Sequence, residues 1–223
     1  MLAIQSQLHG NTGYHAMPEL RGRRIGLLGG TFNPVHLGHM AMAEAALDEF
    51  SLSHVLFIPT GQPPHKRDIV PAEQRLEMLH LALEGQPGFA LSTVEIDRQG
   101  FSYTIDTLRQ LHNQYAGAQL FFIIGADTLL ELMSWKDAAQ VMRLTTFIVF
   151  PRAGTDDKKA RQTAEQLAMN QGADILFSKH ICPNIASNSI REAASKGEDI
   201  LAYVPLPVAE FIQRRGLYRM ENH

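Results

Sequence analysis

Short apolar runs alternate with longer segments of helical spacing, and this alternation limits the possible folds more than any other feature. The runs of strand length are Arg24–Leu28, His54–Pro59, Phe89–Ile96, Gln119–Ile124, Thr146–Phe150 and Asp174–Ser178. The segments of helical spacing are Leu37–Phe50, Pro71–Leu83, Tyr103–Tyr115, Trp135–Met142 and Asp156–Gln171. Strands that alternate with helices predict right-handed crossovers and a mainly parallel sheet with helices on both faces.

The last part of the sequence has helical spacing without a strand between its segments. One apolar face runs over residues 190–194, and a second begins near Val208, after Pro205 and before Gly216. Proline favours a helix start and glycine a helix end. The sequence therefore predicts a Rossmann-like, doubly wound α/β fold with a C-terminal helical cap. In such folds ligands bind beyond the carboxyl ends of the strands.

The composition excludes several classes of protein. The 223 residues are 45% hydrophobic and have a formal net charge of −3, which argues against disorder and against a surface that binds nucleic acid or membrane. No apolar stretch approaches the roughly 20 residues of a membrane-spanning helix. The single cysteine, Cys182, excludes an internal disulfide and a cysteine metal cage. We expect a cytoplasmic protein with a flexible extension over residues 1–22 and one domain over 23–223; its oligomeric state stays open.

A motif with the sequence GGTFNPVHLGH, residues 29–39, follows the first predicted strand. Paired glycines allow close approach of a ligand to the backbone, and the helix that follows offers free N–H groups to an anion. His36 and His39 lie three residues apart and have ring nitrogens that can donate hydrogen bonds to phosphate oxygens. The motif favours phosphate binding. A plain turn with two surface histidines and a His-x-x-His metal pair remain alternatives.

A second motif, IASNSIR over residues 185–191, precedes the first helical segment of the cap. Ser189 and Glu192 fit a capping box, and Ser187 or Asn188 could cap the helix instead. Arg191 would be a cation in the first helical turn, where the helix dipole disfavours it. An arginine at a free helix N-terminus suits a bound anion. The motif therefore predicts a second phosphate site.

The two motifs together resemble those of the nucleotidylyltransferase superfamily, and specifically of the bacterial nicotinate mononucleotide adenylyltransferases. The resemblance covers about residues 24–219, and the second motif is similar to the family's Ile-Ser-Ser-Thr-x-Ile-Arg, with Ala186 and Asn188 in place of Ser and Thr. It implies adenylyl transfer from ATP to nicotinate mononucleotide, giving nicotinate adenine dinucleotide and pyrophosphate. It also implies Mg²⁺ bound mainly through the substrate phosphates. Another acceptor substrate, or a non-catalytic nucleotide-binding protein, remains an alternative.

The resemblance also assigns site residues. The catalytic residues are His36, His39 and Arg191. The implied ATP-binding residues are Gly29, Gly30, Thr31, Phe32, Gly38, Asp127, Ser187 and Asn188. The implied mononucleotide-binding residues are Lys66, Thr104, Trp135, Lys136 and Arg152. From residue type alone, Asp127 and Thr104 could be helix caps, Trp135 a core residue and Lys66 a solvated cation. Glu73 and Arg75 are expected to be helix-surface charges.

Overall fold

The predicted α/β fold is confirmed by the structure, a computed structural model that describes residues 17–62, 69–151 and 157–219. Its six strands are β1 (Arg24–Gly30), β2 (His54–Pro59), β3 (Phe89–Leu91), β4 (Gln119–Gly125), β5 (Thr146–Phe150) and β6 (Asp174–Phe177). Every pair of neighbours is parallel. Five strands lie close to their predicted positions. The third is shorter than predicted because a turn, closed by the Asp97 N–H to the Thr93 carbonyl at 2.9 Å, follows it.

The helices cover both faces of this sheet. They are α1 (Leu37–Glu49), α2 (Ala72–Leu83), α3 (Thr104–Gln114), α4 (Ala126–Leu130), α5 (Ala138–Leu144), α6 (Asp157–Gln171), α7 (Ser187–Ser195) and α8 (Leu206–Arg215). The short helix α4 was not predicted. Helix α5 begins three residues later than predicted, because Asp137 has a left-handed backbone conformation with φ of 53°. Helix α8 follows Pro205 and has Gly216 as its C-cap residue, as predicted, and it packs against α2.

The strand order, β3-β2-β1-β4-β5-β6, places the switch point of the sheet between β1 and β4. From β1 the chain first winds outward to β3, then returns to β4 and winds to the other edge. The loops after β1 and β4 therefore leave the sheet in opposite directions and open a crevice at its carboxyl edge, where ligands bind in folds of this kind.

The apolar core has two layers, one on each face of the sheet. Successive residues of a strand belong to opposite layers: Leu27 and Phe122 to one, Leu28 and Phe121 to the other. The cap helices α7 and α8 add side chains to the second layer. Burial on both faces explains why these strands are continuous apolar runs.

The packed part of the protein begins before the boundary expected at residue 22. Residues Pro18–Leu20 form one turn of 3-10 helix, and Leu20 is fully buried in the first core layer. Residues 1–16 of the expected extension lie outside the described residues. Among the helices of the described ranges, none has the length and apolar character needed to cross a membrane.

Candidate active site

A cleft of about 850 Å³ opens at the carboxyl edge of the sheet. Its walls come from the loops after β1, β2 and β4 and from the first residues of α3 and α7. The structure therefore brings both sequence motifs into one cavity. The cleft is lined by the proposed site residues Gly29, Gly30, Thr31, Phe32, His36, Gly38, His39, Thr104, Trp135, Ser187, Asn188 and Arg191.

The loop after β1 is shaped by tight packing around its aromatic rings. Phe32 has a φ of 49° and is 1% exposed, and its ring meets that of His39 edge-on at 4.9 Å between centroids. A side chain on Gly38 would lie 3.1 Å from Nδ1 of His36, so glycine lets that ring fold over the start of α1. The glycines and the phenylalanine thus place two imidazole rings at the cleft.

The two histidines form a stacked pair. Their ring centroids are 3.6 Å apart, with 25° between the ring planes. Nδ1 of His39 accepts the backbone N–H of His36 at 3.2 Å, so a neutral His39 ring carries its proton on Nε2 and can donate it. Within the described ranges no cluster of three His, Cys, Asp or Glu side chains forms a metal site. Both rings line the cleft, where an imidazole N–H can donate to a bound anion.

The predicted capping of α7 by Ser187, Asn188 or Ser189 is wrong. Ala186 is the N-cap residue, and no side chain of the described residues caps this helix. The Ser187 hydroxyl instead donates to the Pro34 carbonyl at 3.0 Å, and Asn188 Oδ1 accepts from Arg191 at 2.9 Å. The side chains of Ser187 and Asn188 are thus turned toward the first motif and Arg191. The backbone N–H groups at the start of α7 lie at the cleft, where an anion would meet them.

Arg191 joins the two phosphate motifs directly. Its guanidinium donates to the backbone carbonyl of Asn33 at 2.9 Å. The side chain of Asn33, which is 4% exposed, accepts the Tyr218 hydroxyl at 2.9 Å. Burial raises the pKa of Tyr218 well above its usual range, so this hydroxyl keeps its proton and remains a donor. The guanidinium is therefore held at the cleft by the loop it would serve.

Arg75 is not the helix-surface charge that the sequence predicted. It is 2% exposed, and it donates to the carbonyls of Thr31 at 3.0 Å and Thr60 at 2.8 Å. It also reaches the carbonyls of Gly61 at 3.4 Å and Val70 at 3.3 Å. Sequence spacing missed this role because its partners are backbone atoms of distant loops. Arg75 fixes the loops after β1 and β2 to each other.

Thr104 and Trp135 also line the cleft. Thr104 is the first residue of α3 and Tyr103 its N-cap, so the capping alternative for Thr104 is wrong. The Trp135 indole packs edge-on against Phe122, with centroids 5.7 Å apart, and remains half-buried at the cleft. It contacts the core and the cavity at once. The Lys136 ammonium instead lies over the Tyr103 ring at 4.2 Å, outside the cleft lining.

Of the three remaining predicted site residues, only Asp127 lies within the described ranges, and it is not among the residues that line the cleft. Asp127 is exposed in the first turn of α4, between the cleft residues Gly125 and Thr128. Gly125 is the N-cap residue there, so Asp127 does not occupy the capping position. Lys66 and Arg152 lie outside the described residues.

Glu95 lines the cleft and was missed by the sequence analysis. It is 9% exposed, and burial raises the pKa of its carboxyl group. It was counted within the third predicted strand because Val94 and Ile96 flank it. A carboxylate among apolar residues at a strand's carboxyl end is a signal that could have identified it.

Comparisons with known proteins find relatives over most of the chain. The family described as cytidylyltransferase-like matches residues 27–193. A relative from Moorella thermoacetica, described as "Probable nicotinate-nucleotide adenylyltransferase", is 41% identical over 202 residues, which are 89% of this chain and 93% of that protein. A relative from Thermomicrobium roseum with the same description is 41% identical over 198 residues, 88% of this chain and 92% of that protein.

Solved structures show the same fold in a distant protein. The nicotinic acid mononucleotide adenylyltransferase of Plasmodium falciparum, complexed with NaAD, aligns with a TM-score of 0.74 at 16% identity. The alignment covers 88% of this chain and 97% of that one. The same enzyme complexed with APC aligns with a TM-score of 0.71 at 15% identity, with equal coverage.

Proposed function

The chain belongs to the cytidylyltransferase-like family and, within it, to the nicotinate-nucleotide adenylyltransferases, and from that membership we propose how its residues perform the reaction. The reaction transfers the adenylyl group of ATP to nicotinate mononucleotide and releases pyrophosphate. The observation that supports this assignment of residues is the hydrogen bond from Arg191 to Asn33, which brings both phosphate motifs together in one cleft. Thr104 and Trp135 line the same cleft.

The proposed chemistry needs no nucleophilic side chain. A phosphate oxygen of nicotinate mononucleotide, already anionic, attacks the α-phosphorus of ATP in line. The new bond joins the two phosphates, and the bond from the α-phosphorus to the bridging oxygen breaks, so that pyrophosphate leaves. Catalysis then consists of positioning and charge neutralisation. His36 and His39 donate to the α- to γ-phosphates, and Arg191 with the start of α7 holds the leaving pyrophosphate.

Mg²⁺ belongs in this proposal as part of the nucleotide substrate. Among the described residues, Glu95 is the one carboxylate that lines the cleft; the basic side chains of the lining are His36, His39 and Arg191. Mg²⁺ prefers oxygen ligands, keeps several waters and binds readily through phosphates. This lining suits an ion that enters on ATP and neutralises charge on its phosphate oxygens.

The acceptor substrate is assigned to the part of the cleft that Thr104 and Trp135 line. The indole face is proposed to stack on the pyridine ring. Backbone N–H groups at the start of α3 and at Lys136, together with Thr104, would bind the nicotinate carboxylate. Lys66 and Arg152 are proposed for the mononucleotide, Asp127 for the adenosine ribose, and the backbone of Gly29, Gly30, Thr31 and Phe32 for the adenosine. A cytoplasmic enzyme without nucleic-acid or membrane partners remains part of the proposal.

The test measures pyrophosphate release from ATP with nicotinate mononucleotide, nicotinamide mononucleotide and other phosphorylated acceptors. We expect nicotinate mononucleotide to be the preferred acceptor. His39→Ala should lower kcat by ~10²–10³-fold, which is typical when one donor to transition-state charge is lost. His80→Ala, an exposed change on α2, is the matched control and should leave kcat unchanged. A near-normal kcat for His39→Ala would show that the phosphate site is misplaced.

A further inference from the structure

Two buried charges hold the turn after β2, residues 60–62, from opposite sides. Arg75 donates to the carbonyls of Thr60 at 2.8 Å and Gly61 at 3.4 Å. On the other side, the backbone carbonyl of Glu95 packs closely against Gly61, and the Gly61 and Gln62 N–H groups donate to Ser102 Oγ at 3.2 and 3.4 Å. A cation thus holds the carbonyls of this turn, and Glu95 and Ser102 lie on its other side.

Glu95 also connects this turn to the start of α3. The Thr107 hydroxyl donates to Glu95 Oε1 at 2.7 Å. Ser102 Oγ accepts the backbone N–H of Gly61 at 3.2 Å, and the Ser102 N–H donates to the Gln62 carbonyl at 3.1 Å. Glu95 and Ser102 therefore join the turn after β2 to the start of α3, and Thr60, Ser102 and Thr104 of these segments line the cleft.

The charge on Glu95 depends mostly on neutral donors. Among the described residues, Arg98 is the charged group that faces Glu95; its guanidinium donates to Thr107 Oγ1 at 3.1 Å, and so reaches the carboxylate through that hydroxyl. Within the described ranges, no ion pair to the Glu95 carboxylate is formed. Since the groups that contact Glu95 are donors, the ionised form satisfies them best, although burial opposes ionisation by raising the pKa.

We propose that Glu95 is a positioning residue for the acceptor substrate, because it fixes the turn after β2 against the start of α3 and so sets the spacing at which nicotinate mononucleotide binds. This inference rests on the proposed function. The loop after β1, which is proposed for ATP, is held by bonds in which Glu95 takes no part, from Arg191 to Asn33 and from Arg75 to Thr31. Loss of Glu95 should therefore affect the two substrates unequally.

The test compares Glu95→Gln with wild type in steady-state assays and in a titration of Trp135 fluorescence with nicotinate mononucleotide alone. The amide has nearly the same shape but turns one acceptor into a donor that faces other donors. We expect the KM and Kd for the mononucleotide to rise about tenfold or more, the loss of roughly one charge-assisted hydrogen bond. The KM for ATP should stay within about twofold. Glu165→Gln, an exposed change on α6, is the control and should behave as wild type.

A second pair of variants keeps the test valid if Glu95→Gln does not fold. Thr107→Val removes the hydroxyl that donates to Glu95, whereas Thr107→Ser retains it. We expect the valine variant to raise the mononucleotide KM selectively and the serine variant to remain near wild type. Equal rises in both KM values, or identical behaviour of the valine and serine variants, would overturn the inference. Wild-type protein that does not use nicotinate mononucleotide would instead overturn the proposed function.

Discussion

Replacement of Gly61 by alanine tests how tightly the turn after β2 is constrained. The φ of Gly61 is not in the left-handed region, so alanine meets no backbone strain at this position. Its Cβ, however, would lie 2.2 Å from the carbonyl oxygen of Glu95, 2.9 Å from the carbonyl carbon and 3.2 Å from Ser102 Oγ. Two of these atoms belong to the backbone, so a side-chain rotation cannot relieve the contact.

The size of the effect follows from that distance. Ordinary van der Waals contact begins at 3.4 Å, so a contact of 2.2 Å requires a displacement of about 1.2 Å in the turn or in Glu95. A misplacement of about 1 Å can lower a rate by ~10²-fold. We therefore expect Gly61→Ala to lower kcat/KM for nicotinate mononucleotide by about 10²-fold. Overpacking should also cost ~1–3 kcal/mol of the free energy of unfolding.

The assay measures kcat/KM for each substrate together with Tm. Gly85→Ala is the control for stability loss alone, because Gly85 has a φ of 72° and open space around its Cα, remote from the cleft. Alanine there should lower Tm through backbone strain and leave both KM values unchanged. A Gly61→Ala protein with wild-type kcat/KM for the mononucleotide would refute the reasoning, since the turn would then move without affecting the acceptor.

Three further predictions concern the cleft and its buried charges. Trp135→Ala should raise the mononucleotide KM about 5- to 150-fold, since stacking contributes ~1–3 kcal/mol, while Trp135→Phe keeps most of the affinity. Unchanged KM values, with no fluorescence response to the mononucleotide, would show that Trp135 is a core residue that does not contact the substrate. Arg191→Lys keeps the charge but not both hydrogen bonds to Asn33 and Asn188, and should raise the ATP KM more than the mononucleotide KM in steady-state assays; the opposite order would contradict the assigned phosphate site. Because burial raises the pKa of Glu95, the folded protein holds that proton to higher pH than the unfolded chain, so wild-type stability falls as pH rises through the raised pKa. Thermal unfolding should therefore show that the Tm of wild type falls relative to the Tm of Glu95→Gln as pH rises across that range. A Tm difference between the two proteins that is independent of pH would argue against a buried, titrating carboxylate.

The sequence was most informative where periodicity and local chemistry agree. The strands β2 and β5 have the predicted limits. The placement of the histidine pair at the cleft could also be predicted, because it depends on the spacing of the two residues and on the adjoining Gly38, which are visible in the sequence. The buried charges were not predicted, for a physical reason. The guanidinium of Arg75 donates to backbone carbonyls 15 and 44 residues away. Every residue has a backbone carbonyl, so the sequence does not show which ones will accept from Arg75.

The start of α7 was predicted incorrectly for a related reason. Serine and asparagine near a helix start usually cap it, but here their side chains form hydrogen bonds with other parts of the protein. Ser187 donates to Pro34, and Asn188 accepts from Arg191. The preference for capping is local, whereas the contact with the loop after β1 exists only once the fold is complete.

The bonds to Asn33 imply that activity appears late during synthesis of the chain. Asn33 receives Arg191 and Tyr218, which follow it by 158 and 185 positions. At ~5–20 residues per second, ribosomes need on the order of 10–40 s to make the intervening chain. A nascent chain can thus contain the complete histidine motif while its phosphate loop still lacks both partners. We therefore expect nucleotide turnover only after synthesis has passed Tyr218, and truncation just before that residue should lower it while leaving the central sheet intact.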